Sequence, residues 1–101
     1  METLTQGEAP LRWGAREVGY FSSSPAKRSW DINLRPIKPV DSDSSLFQNL
    51  RRKMKVTGLD FHIYSDGALW VNVPRYQKFG YILAWVAWAY HASISDGGVT
   101  Q

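Results

Sequence analysis

The chain has 101 residues, 12 Lys and Arg against 9 Asp and Glu, 44% hydrophobic and 14% aromatic content, and no cysteine. A chain of that length and apolarity forms one core rather than two and is not disordered throughout. The missing thiols exclude disulfides, thiolate zinc sites and cysteine nucleophiles. The formal charge of +3 is unevenly placed. Residues 1–43 are balanced, and the excess lies in residues 44–78, which hold Arg51, Arg52, Lys53, Lys55, Arg75 and Lys78 against Asp60 and Asp66.

The first 28 residues are rich in Gly, Ser and Pro and keep no period of 2 or 3.6, so they read as a largely irregular arm. Leu11, Trp13, Val18, Tyr20 and Phe21 are scattered through it, and such residues are of no use to a solvated tail. The arm is therefore expected to dock, on its own domain or on a partner. Its start has no basic segment followed by an apolar one, so a secretory signal is not expected and a cytoplasmic location is.

A single domain is expected over residues 29–95, followed by a flexible tail, 96–101. In "SWDINLRPI" Trp30, Ile32 and Leu34 alternate with Asp31, Asn33 and Arg35, the pattern of a half-buried strand. Pro36 and Pro39 end it, which suits a short edge strand. Ser45 with Gln48 three residues on has the form of a capping box. It opens an amphipathic helix to about Val56, apolar at Leu46, Phe47, Leu50 and Met54 and basic at its end, with Gly58 as the stop.

"LDFHIYSDGALWVNVP" reads as a hairpin. A three-residue loop, Ser65-Asp66-Gly67, sets Leu59 against Val73, Phe61 against Val71 and Ile63 against Leu69 on one face. Asp60 then meets Asn72, His62 meets Trp70 and Tyr64 meets Ala68 on the other. A slip of one residue would scramble this sorting. Pro74 suits the first position of a closing helix to about Ala92, and "SISDGG" ends it. The whole reads as an α+β fold, a small antiparallel sheet of about three strands packed against two helices.

Within the closing helix, "FGYILAWVAWAY" is apolar or aromatic at every position but Gly80. Twelve residues fall short of the ~20 needed to span a bilayer, so transmembrane insertion is not expected. At 100° per residue Phe79, Ile82, Leu83, Val86 and Tyr90 share the natural core stripe, and Tyr81, Trp85 and Trp88 lie almost opposite. That second stripe is either core, covered by the first helix and the arm, or an interface for a partner or a second copy.

The sequence offers little site chemistry. Asp60 and His62 would need a pocket and a substrate-positioning group, and two histidines without a metal-binding spacing do not suggest a metal centre. No enzyme activity, cofactor or metal is expected. The leading expectation is a small protein-interaction module, an accessory subunit or an inhibitor or modulator of a larger complex, possibly self-associating. Tyr81, Trp85, Trp88, His62, Trp70 and Tyr64 are its candidate interface. The alternative is a nucleic-acid-binding module with Arg51, Arg52, Lys53, Lys55, Arg75 and Lys78 on phosphates and Trp70 or His62 stacking on bases.

Overall fold

The structure, a computed structural model, describes residues 8–94. Five antiparallel strands, β1 (Ala9–Trp13), β2 (Arg16–Pro25), β3 (Ser29–Pro36), β4 (Phe61–Ile63) and β5 (Leu69–Pro74), form one sheet in the order β1-β2-β3-β5-β4. Helix α1 (Ser45–Thr57) connects β3 to β4. A single 3₁₀ turn, Arg75–Gln77, leads from β5 into α2 (Lys78–Ile94). Both helices lie on one face of the sheet, where Phe47, Leu50 and Met54 of α1 and Ile82, Trp85 and Val86 of α2 share a core with Ile32, Leu34, Val71 and Val73. The α+β class and the packing of sheet against two helices are as expected. The sheet has five strands instead of three.

The two additional strands come from the arm. β1 and β2 are joined by a two-residue turn, Gly14-Ala15, in which Gly14 has φ +64°, a conformation that favours glycine. Leu11 pairs with Gly19 and Arg12 with Glu17, so Val18 is an extra residue, a β-bulge. The bulge explains why no period was legible. Val18, Gly19 and Tyr20 are buried in succession, which defeats alternation, and Ser22 to Ser24 then add a polar stretch. The arm's apolar residues dock on this chain: Val18 is in the core, Leu11 and Phe21 pack against it, and the Trp13 ring lies 5.7 Å from Tyr90 of α2. With β2 on one side and β5 on the other, β3 is a central strand, and the edges are β1 and β4.

The hairpin has the register its sorting implied. Phe61 pairs with Val71, His62 with Trp70 and Ile63 with Leu69, the backbone N–H groups of Asn72 and Tyr64 donate to Asp60 and Ala68, and Gly67 takes φ +94°. α1 begins one residue earlier than a Ser45 cap would place it. The Ser44 hydroxyl accepts from the Phe47 N–H, and Gln48, rather than closing a capping box, donates from its side chain to the Ser42 carbonyl. Gly58 ends α1 in the left-handed conformation, with its N–H on the Lys55 carbonyl. Pro74 closes β5 and precedes the 3₁₀ turn. α2 reaches Ile94, the last described residue, so the expected stop in "SISDGG" and the tail, 96–101, lie outside the described residues. Among the described residues no helix is long and apolar enough to cross a membrane.

Candidate interaction surfaces

α2 is apolar all round, so its own periodicity cannot choose which side meets the sheet. The sheet chooses. Gly19 on β2 leaves a gap into which the Trp85 ring fits so closely that a Cβ at Gly19 would lie 2.6 Å from the ring. Trp88 turns toward α1 and donates its indole N–H to the Leu46 carbonyl at 2.9 Å. Both rings are 3% exposed, and their centroids stand 5.9 Å apart. The chain itself thus covers Trp85 and Trp88, and Tyr81 beside them is half-buried against the core.

The buried arc is therefore rotated by roughly 90° from the stripe that periodicity favoured, at 100° per residue. Phe79 and Leu83, expected in the core, are 72% and 63% exposed. They continue into a solvent-facing stripe through Ala87 to Ile94, with Gly80 and Ala84 beside it and Tyr76 of the 3₁₀ turn, 86% exposed, at its start. His91 is the one Lys, Arg, His, Asp or Glu of α2 after Lys78. Isolated exposed apolar residues are ordinary, and it is the continuity of this stripe along one helix that makes it a candidate contact surface.

No helix among the described residues lies on the opposite face of the sheet. Tyr20 is shielded there by Arg35, whose guanidinium carbon sits 4.5 Å from the ring centre and which is held by Glu8 at 2.9 Å. The rest is open and polar. One row runs across Ser22, Asn33, Trp70 and His62, and the next across Ser24, Asp31 and Asn72. Asn72 is fixed by donating to Asp31 at 2.8 Å and to Ser29 at 2.9 Å. His62 and Tyr64 are exposed and meet edge to face at 4.6 Å, whereas Trp70 is half-buried.

The six cations divide into two groups. Arg51, Arg52, Lys53 and Lys55 are exposed on α1. Arg75 joins the β2–β3 turn, donating from its side chain to the Ala26 and Lys27 carbonyls and from its backbone to Arg28, and Lys78 covers the Trp30 ring at 3.8 Å. Lys27 and Arg28, which sequence reasoning passed over, thus sit beside Arg75. α1 lies on the helix face and Trp70 and His62 on the open one, so the rings and the α1 cations of the nucleic-acid reading do not share a surface. No group of three or more His, Asp or Glu close enough to hold a metal occurs among the described residues.

Between α1, α2 and the sheet lies a cavity of about 160 Å³. Its floor includes Leu34 and Val71, and its walls Leu50 and Met54 facing Trp85 and Trp88. Comparison with protein-family models, curated proteins and solved structures finds no match.

Proposed function

We infer that this protein is a non-enzymatic interaction module, an accessory or modulating subunit of the cytoplasm, that docks through the outer stripe of α2. The exposure of Phe79 and Leu83 at 72% and 63%, while Trp85 and Trp88 are withdrawn into the core, carries the reading.

The occupant is a second copy of the chain. The stripe contains no acidic residue that would call for a basic partner, and Gly80, Ala84 and Ala87 are small enough to let a second helix approach closely. Charge selects the direction. Lys27, Arg28, Arg75 and Lys78 cluster around the start of α2, so parallel helices would bring eight cations together. Antiparallel helices separate the two groups by about 25 Å, the length of 17 helical residues, which is roughly three Debye lengths at physiological salt. The negative C-terminal end of each helix dipole then faces the other's cations. A single helix pair is near the lower limit of about 1,000 Å² for a specific interface, so association is reversible and concentration-dependent.

Sedimentation velocity tests this. The wild type is expected to shift from monomer to dimer over the micromolar to submillimolar range, and Leu83→Asp to stay monomeric with unchanged thermal stability, because Leu83 contributes little to the core. A wild type that is monomeric throughout ends the reading.

One observation favours a second reading. The cations of the β2–β3 turn and α2 start make no ion pair among the described residues, and Tyr76 and Phe79 beside them are bare, a combination that suits single-stranded nucleic acid. Four phosphate contacts would give a salt slope of about −3 for a single strand. A fluorescence titration of an oligonucleotide that shows no binding at low salt removes this alternative.

A further inference from the structure

The cavity between the helices is held open by its own walls. Protein interiors leave few voids larger than a water molecule, and the volume here is about 160 Å³. Trp85 and Trp88 are the largest side chains that line it and the ones best able to fill it, but both are held in place elsewhere. The Cη2 and Cζ3 edge of the Trp85 ring is seated against Gly19 of β2, which is not part of the cavity wall. Trp88 is tied to α1 through its indole N–H on the Leu46 carbonyl at 2.9 Å.

The wall is almost wholly apolar, and its polar side-chain groups are spoken for or out of reach. The Trp88 N–H is committed to Leu46, and Nε1 of Trp85 is buried beyond the reach of anything in the cavity. The Thr57 hydroxyl donates to the Met54 carbonyl at 2.6 Å and accepts from the Leu59 N–H at 3.1 Å. Two residues of the wall are exposed, Lys53 on α1 and Ala84 on α2, and they mark where the cavity meets solvent. A lysine in that position lines a mouth with its methylenes while its ammonium stays in water.

We propose that this cavity is a binding site for a small, neutral, apolar molecule of about the size of a one-ring aromatic hydrocarbon. Size and chemistry agree on the class. An engineered apolar cavity of ~150 Å³ excludes water and takes up benzene, and the volume here is about 160 Å³. The ligand lies on Leu34 and Val71, between Leu50 and Met54 on one side and the two tryptophan rings on the other. Met54, unbranched and flexible, can adjust to its outline. A hydroxyl carried into the cavity gives up its hydration and finds no partner in return, and a cation meets Lys53 at the mouth.

Two tryptophans line the cavity, so binding has its own optical signal. At concentrations where the chain is monomeric, titration of the full chain with toluene is expected to change tryptophan emission saturably and to raise the melting temperature. Phenol, of nearly the same shape, should bind at least tenfold more weakly, and benzylamine, a cation at neutral pH, more weakly still. Leu50→Phe fills the cavity from α1, and Ala84→Leu, an exposed substitution on a helix, obstructs its mouth. Each should weaken toluene binding at least tenfold. No saturable binding of toluene would overturn the proposal, as would equal affinity for toluene and phenol or wild-type affinity in both variants. Loss of toluene binding in Leu83→Asp would also overturn it, by placing the ligand on the outer stripe of α2.

Discussion

Gly19→Ala is expected to destabilise the protein by about 3 kcal/mol, the upper part of the range for overpacking. The added methyl would meet the Arg35 carbonyl oxygen at 2.5 Å and the Trp85 ring at 2.6 and 2.9 Å. The first contact is backbone of the neighbouring strand and the second is a ring wedged between sheet and helix, so neither can move aside freely. Gly80→Ala provides the opposite case. Nothing lies within 4 Å of a Cβ there, and replacing a helical glycine stabilises by up to about 1 kcal/mol. Urea denaturation of the two variants at concentrations where the chain is monomeric should therefore move the midpoint in opposite directions. Equal, small effects would mean that β2 does not carry α2 in the way described.

The second large effect separates the two buried tryptophans. Trp88→Phe removes the 2.9 Å hydrogen bond to the Leu46 carbonyl and leaves space between the helices, so a loss of about 3 kcal/mol is expected. Trp85→Phe leaves space as well, but it also removes a buried N–H that has no partner among the described residues, and the loss should be nearer 1 kcal/mol. The comparison isolates the polar term because both rings are equally buried. If Trp85→Phe proves the more damaging, its N–H is engaged in solution.

These two sites also mark where sequence reasoning stopped. The β4–β5 hairpin was legible to the residue, because period-two sorting admits one register and Gly67 supplies the left-handed turn position. α1 was legible from Phe47, Leu50 and Met54 on one face and Gly58 at the end. β2 was not, because the bulge at Val18 buries three residues in succession, and without β2 the central strand β3 looked like an edge. The burial of α2 was the least legible feature. A helix apolar on every side carries no phase, and the groups that set its phase, Gly19 and the Leu46 carbonyl, come from distant parts of the chain. The candidate interface followed the same limit. Trp85 and Trp88 were singled out for their size, and size is what draws them inward, which leaves Phe79 and Leu83 outside. The register alone also put the hairpin rings His62, Trp70 and Tyr64 together on the face away from Phe61 and Ile63, but whether that face is covered was not legible from it.

The dimer reading makes a geometric demand that can be tested directly, because the chain contains no cysteine and accepts a single introduced one without competition. Ala87 lies midway along the stripe between Phe79 and Ile94, close to where the two-fold axis of an antiparallel pair must pass. Under mild oxidation Ala87→Cys is expected to form a covalent dimer rapidly at concentrations where the wild type associates, while Asn33→Cys on the open sheet face stays monomeric. Equal rates for the two variants, or no dimer from Ala87→Cys, would contradict docking through the outer stripe of α2.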